Sequence, residues 1–253
     1  MSGRILAIDA TNWIHTLWHA QPGRDVIDRA VARMMVLAEG LEPGHLVACF
    51  DRRSFRHDLL PTYKAGRSEK PAELLEVLDA APEAFALRCT VAIEDGFEAD
   101  DQLATITAIG LATDRQVVLA SPDKDIRQCL VSGRVSILRG FTVEHGKLKR
   151  PEWLTAKGVE EKYGVRPEQW TDFQALTGDA GDGIEGCPGF GPVNAQKVLS
   201  AAGTLDRVFT HILGLPITPR LRTSLLNWQP LARDVLRLVT LRTDCQAAAD
   251  ALR

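Results

Sequence analysis

Nine acidic side chains in this chain are candidates for shared chemistry: Asp9, Asp51, Glu98, Asp100, Asp101, Asp123, Asp125, Asp179 and Asp182. The densest group lies in GFEADDQLATITAIG (96–110), where Glu98, Asp100 and Asp101 fill three of four positions and run straight into an apolar helical pattern. Like charges this close repel and titrate as a coupled set. Two readings of the stretch are open. Acids in a first helical turn complement the macrodipole and accept from its free N–H groups, with no other partner required. A hard divalent cation would ask for the same oxygen donors. Two such ions about 4 Å apart can stabilise both the attacking and the leaving oxygen of a phosphodiester during in-line displacement. Six histidines and five well-separated cysteines without a CxxC pair suit that chemistry better than they suit zinc.

The elements that must carry these acids favour the ion. RILAID (4–9), HLVACFD (45–51) and QVVLASPDKD (116–125) read as short buried strands, each with an aspartate at or just beyond its carboxyl end, and TVAI (90–93) reads as another. Helical patterns lie between them at 25–41, 71–87 and 99–112. Strand alternating with helix implies an α/β fold with a mainly parallel central sheet flanked by helices. In such sheets the functional crevice lies outside the carboxyl ends of the strands. That rule brings Asp9, Asp51, Asp123 and Asp125 to one edge, with the Glu98 group opening the helix after TVAI.

From about residue 150 the pattern changes to helices and glycine turns. PEWLTAKGVEEKYG and RPEQWTDFQALTG read as two helices, GDAGDGIEGCPGFGP as a loop with six glycines, and VNAQKVLSAAG as a further helix. Asp179 and Asp182 sit in that loop. A Rossmann fingerprint would have to follow a strand, and these glycines follow a helix. They are either a plain helical turn or a hairpin that aims backbone N–H groups at a phosphate backbone, with Pro192 suited to the first helical turn. Arg52, Arg53, Arg56, Lys64 and Arg67, interleaved with Phe55 and Tyr63, can hold phosphates and stack on bases, or simply form a solvated loop. His15 and His19 stand one helical turn apart but lack a third ligand and the glutamate of a metalloprotease helix. The five tryptophans, Trp13, Trp18, Trp153, Trp170 and Trp228, are expected to be packing residues.

Composition bounds the rest. A chain of 253 residues suffices for one large α/β domain, or a core with an appendage. No apolar run approaches a membrane span and no signal peptide is evident, so no membrane partner is expected and cytoplasm is the default compartment. The odd cysteine count suggests reduced thiols. A net charge of −3 speaks against nucleic acid at first sight, but without the nine acids the remainder stands at +6.

Four stretches in order, FDRRSFRHDLLPTYKAGR, GFEADDQLA, SPDKDIRQCL and EKYGVRPEQWTDFQALTGDAGDGIEGCPGFG, resemble the bacterial and phage 5′ nucleases, the group that includes flap endonucleases and the 5′→3′ exonuclease domain of DNA polymerase I. The likeness runs from about Arg4 to Cys245. It implies a PIN-like nuclease core over 1–150, with an arch at about 63–90 that single-stranded 5′ ends thread. It also implies a helical subdomain over 151–253, carrying a helix-hairpin-helix at about 171–202 and C-terminal helices that pack back on the core. The implied activity is two-metal hydrolysis of DNA phosphodiesters at 5′ flaps or 5′ ends, with Mg²⁺ or Mn²⁺, and with K⁺ a frequent occupant of the family's hairpin. All nine acids match the family's metal ligands, Lys64 and Arg67 its scissile-phosphate contacts, and Tyr63 a stacking aromatic. Arg52, Arg53 and Arg56, with Gly186, Gly189, Gly191, Asn194 and Lys197 of the hairpin, are the implied DNA contacts. The family's GDxSDNIPG is GDAGDGIEG here, and Val193 replaces a hairpin lysine, which should weaken duplex binding. The resemblance favours a monomer, with any polymerase on a separate chain. Two other classes share this fold: a non-catalytic branched-DNA-binding protein, expected to have lost acids, and a PIN-type ribonuclease, expected to lack the hairpin.

Overall fold

The apolar runs that end in aspartate become the central strands of a six-stranded sheet. The computed structural model describes residues 3–253. In chain order it forms β1 (Ile5–Asp9), α1 (Ala10–Ala20), α2 (Val26–Leu41), β2 (His45–Cys49), α3 (Arg56–Leu59), α4 (Ala72–Ala86), β3 (Thr90–Ala92), α5 (Ala99–Ala112), β4 (Val117–Ala120), β5 (Val135–Glu144), β6 (Lys147–Leu154), α6 (Ala156–Tyr163), α7 (Trp170–Thr177), α8 (Pro192–Ala202), α9 (Leu205–Thr210), α10 (Pro219–Val239) and α11 (Gln246–Asp250). Two compact units divide the chain: residues 3–54, 68–155 and 241–253 form one, and 55–67 with 156–240 the other.

In the first unit the strand order is β3-β2-β1-β4-β5-β6, parallel from β3 to β5, with β6 antiparallel to β5. All five residues of β1 are buried, as they must be in a parallel strand covered on both faces. Connections from β1 lead to β2 on one side and later to β4 on the other, so the order reverses between β1 and β4. That reversal is a topological switch point, where an open α/β sheet leaves a crevice. On one face α1, α2 and α4 bury Ile14, Trp18, Met34, Leu37, Val77 and Phe85. On the other, α5 lies against β1, β2 and β4. Gly110 lets it approach closely: a Cβ there would come within 2.4 Å of Val117 and 3.2 Å of the Ile5 side chain.

Two expectations are corrected here. Residues 72–86, inside the segment expected as an arch, form a core helix whose Leu74, Val77, Ala81 and Phe85 are buried, with β3 following at once. Amphipathic packing thus claims most of 63–90. The second correction concerns 135–154, where the sequence predicts a helix beginning at PEWL and only helices and turns from about 150. It is a β-hairpin whose two-residue turn, His145 and Gly146, has both φ values positive, at 52° and 72°, a conformation that matches strand twist. β6 escaped notice because it is an edge strand, exposed along most of its length and carrying Pro151, so it lacks an apolar alternation. Trp153 lies on it, 42% exposed, and is not a packing residue.

The second unit is helical. Trp170 is buried against Tyr163 and Phe173 at ring separations of 5.0 and 5.2 Å. The Gln169 amide donates to the carbonyls of Leu199 and Gly203 at 3.1 and 2.8 Å, closing the end of α8. Among the described residues, no helix is long and apolar enough to cross a membrane.

Candidate metal centre

The capping reading of the acidic helix start is realised by two of its residues. Glu98 and Asp101 form a capping box on α5: the Glu98 side chain accepts from the Asp101 N–H, and Asp101 Oδ2 accepts from the Glu98 N–H at 3.1 Å. The other oxygen of Asp101 accepts the backbone N–H of Arg242 at 2.9 Å, and the side chain is fully buried. Asp101, expected as a metal ligand, also anchors the C-terminal segment to α5. Cys245 N–H to Thr105 Oγ1 at 3.2 Å and Ala247 N–H to Glu94 Oε2 at 2.7 Å extend that anchor to α11.

Asp100, between them in sequence, faces other acids. Single oxygens of Asp100, Asp123 and Asp125 lie within 4.8 Å of one another. Burial first, then repulsion from Asp123, Asp9, Asp125 and Asp51, holds its carboxyl well above the usual carboxylate range. Its Oδ1 is buried with no hydrogen-bond partner among the described residues. A desolvated, unpaired carboxylate oxygen facing like charges is unfavourable unless a cation joins it.

The strand ends build the rest. Asp9 closes β1 and caps α1, accepting from Asn12 N–H and from the Ser121 hydroxyl, each at 2.9 Å. Burial and the nearby Asp51 push it up to about 8, against the lowering effect of those two hydrogen bonds. Asp51, beyond the end of β2, accepts from Ala99 N–H at 2.8 Å and donates its own N–H to Thr11 Oγ1 at 2.9 Å. After β4, Ser121 Oγ also accepts from Asp123 N–H at 3.1 Å, and Asp123 Oδ1 accepts from Asp125 N–H at 2.8 Å. Ser121 thus ties two strand ends together, and Thr11 ties a third. Neither was singled out in the sequence, where the only signal was the position of Ser121, directly after β4.

Asp179 and Asp182 lie in the second unit, in a tight turn closed by Asp179 and Ile184, which exchange N–H to carbonyl bonds of 2.8 Å. Asp182 is ion-paired with Arg67, accepts from the Tyr63 hydroxyl at 3.2 Å, and lies 3.9 Å from Lys64 Nζ. Tyr63 is 4% exposed and packs edge-on against His57, so its ring is not open to stack on a base as expected. Arg67 keeps 57% of its side chain exposed.

Arg56 is also corrected. Instead of meeting phosphate it is buried, its Nε donating to Leu238 O at 2.8 Å and its Nη2 to Thr240 O at 3.2 Å, at the carboxyl end of α10. Replacing it with Met should destabilise the protein by roughly 2–3 kcal/mol in urea unfolding and leave the salt dependence of DNA binding unchanged. Arg52 and Arg53 are exposed, Arg52 lying 3.9 Å from Asp95.

In the hairpin, Gly186 packs so closely on the end of α7 that a Cβ would sit 2.4 Å from Gly178 N and 2.5 Å from Leu176 O. That glycine serves the turn. Asn194 does the same, its amide donating to Gly189 O at 2.8 Å. Gly191, Lys197 and Val193 are exposed at or near the start of α8, and Gly189 takes a positive φ of 85°.

Comparison with known proteins agrees with this architecture. Residues 4–164 match the model of the 5′-3′ exonuclease N-terminal resolvase-like domain, and 165–252 that of the 5′-3′ exonuclease C-terminal SAM fold. A flap endonuclease Xni from Pectobacterium carotovorum subsp. carotovorum is 32% identical over 249 residues, 96% of this chain and 91% of the relative. DNA polymerase I of Rhizobium leguminosarum is 38% identical over 210 residues, 81% of this chain but only 20% of the polymerase. A T5 5′-exonuclease structure with bound zinc superposes with a TM-score of 0.80 at 23% identity, covering 98% of this chain and 93% of its own. With the two family models together matching residues 4–252, the chain belongs to the 5′-3′ exonuclease family.

Proposed function

We propose that this protein is a structure-specific nuclease that hydrolyses DNA phosphodiesters at 5′ flaps or 5′ ends with divalent metal. The observation that carries the reading is the orphaned Oδ1 of Asp100 among the carboxylates at the sheet's switch point. An all-carboxylate donor set suits Mg²⁺ or Mn²⁺. Two ions are expected, held by the nine acids. When bound they supply an activated water and neutralise charge growing on the phosphate and the leaving oxygen.

The protein's own groups prepare that event. Ser121 and Thr11 hold the strand-end aspartates in place before any ligand arrives, so little reorganisation remains at the reacting phosphate. Arg67 and Lys64 present cations from the turn that faces Asp182, and phosphate oxygens can take over their N–H groups. The exposed start of α8 offers backbone N–H groups to a duplex phosphate, and K⁺ is the expected companion of that hairpin. Val193→Lys should tighten duplex binding roughly three- to tenfold at low salt and steepen the plot of log K against log salt by about 0.9, one added phosphate contact. Fluorescence anisotropy across a salt series measures both.

The deciding assay compares a 5′-labelled flap with blunt duplex and single-stranded RNA, each with Mg²⁺, Mn²⁺ or EDTA. Metal-dependent cleavage near the flap junction is the expected result, by a protein that elutes as a monomer. Tight flap binding without cleavage of any DNA would leave a branched-DNA-binding protein, and cleavage of RNA alone would leave a ribonuclease.

A further inference from the structure

We propose that a cleft beside the acid cluster is a pocket for one unpaired nucleobase of the cleaved strand. The proposal deepens the nuclease reading and rests on it. The cleft, about 230 Å³, is lined by one face of α1, by Pro122 after β4, and by β5. Pockets for drug-sized ligands begin at about 300 Å³, so this one suits a single planar ring system.

Its place is set by the acids. Asn12, on its wall, is the residue whose N–H caps Asp9, and Pro122 lies between Ser121, bonded to Asp9, and Asp123. In a nucleotide only the sugar separates the base from its phosphate. A phosphate held at these aspartates therefore leaves an attached base within reach of the cleft.

The lining has the matching chemistry. Trp13 and Phe141 pack at a ring separation of 5.7 Å, and the Arg33 guanidinium lies 4.3 Å above Phe141 while donating to its carbonyl at 3.0 Å. Sealed, these rings would be ordinary core. Here Trp13 and Leu17 are only half-buried, and the cleft opens past exposed Thr16 and Arg139. The Arg139 side chain is exposed at the rim of this aromatic pocket, so a cation stands where an attached phosphate would lie. An aromatic floor with a cationic rim complements a base that carries its phosphate, and it complements a neutral apolar side chain less well.

The test uses 5′-labelled flaps that are intact, or that carry one abasic residue or one 2-aminopurine on either side of the cleaved bond. The wild-type protein should lose roughly 5- to 100-fold in kcat/KM on abasic DNA at one of the two positions, the range of one base stacked on an aromatic ring. In EDTA, 2-aminopurine emission at that position should be quenched on binding. Trp13→Leu, and Thr16→Trp, which blocks the mouth, should lose a comparable factor on intact DNA and show no further loss on abasic DNA. Arg139→Ala should flatten the salt dependence by about 0.7, one single-strand phosphate. Equal cleavage of abasic and intact flaps at both positions would overturn the pocket and leave the nuclease standing. Failure to cleave any DNA would overturn the nuclease reading and the pocket with it. If either variant melts early, the wild-type comparison still decides.

Discussion

Asp100→Asn should reduce metal-dependent flap cleavage by roughly a thousandfold or more while making the metal-free protein more stable. Both effects have one cause. One carboxylate oxygen is buried with no hydrogen-bond partner among the described residues, and Asp9, Asp51, Asp123 and Asp125 lie near enough to repel it. On the proposed reading that oxygen ligates the cation, and a neutral amide is a much weaker ligand, so stabilisation of the developing charge would be lost. Without a cation the same charge is a liability, and an isosteric amide removes it at little packing cost. The paired readout separates this account from simple damage: a misfolded variant would lose activity and melting temperature together. Cleavage within threefold of wild type, or an unchanged melting temperature in EDTA, would remove Asp100 from the ligand set. Asp101→Asn makes the contrast. It breaks the capping box and weakens the contact with Arg242 N–H, so it should lower stability with or without metal.

The second large effect is a reversal of pH dependence by metal. Asp9 ionises near 8 in the folded protein instead of at its ordinary 3.8, and Asp100 is also raised. A carboxyl raised on folding binds more protons in the native than in the unfolded state between those two values, so stability falls as pH rises through that window. Metal-free protein should therefore melt at progressively lower temperature from about pH 4 to pH 8. The contribution of Asp9 is at most on the order of 5 kcal/mol. A cation favours the ionised carboxylates, so the rise in melting temperature produced by Mg²⁺ or Mn²⁺ should be small at pH 5 and largest at pH 8. Melting in EDTA and in excess metal across this range measures it. A metal-free melting temperature that climbs between pH 5 and 8 would mean that these acids are not crowded and protonated as described.

Strand ends and acid positions were legible because they are local. An apolar run of four or five residues in a parallel strand has to be covered on both faces, and the polar residue that ends it must emerge at the sheet edge. β1, β2 and β4 follow that rule, with Asp9, Asp51 and Asp123 emerging where expected. The helix over 99–112 was equally clear, being apolar almost all round. The β5–β6 hairpin was not, since an exposed edge strand has no buried face to leave a period in the sequence.

By itself the sequence determined the α/β class, the sheet edge that carries the acids and the oxygen-only character of their donors. All of these follow from residue type and spacing along a few consecutive positions. Only the tertiary structure decided what each charged group does. Asp101 anchors the C-terminal segment because a backbone N–H 141 residues away meets it, and Arg56 is buried because carbonyls 182 and 184 residues away receive its guanidinium. Asp100 stands one position from Asp101, and its Oδ1 meets no hydrogen-bond donor among the described residues. Desolvation and hydrogen-bond partnership depend on which distant segments pack against a side chain, and that is a property of the folded chain.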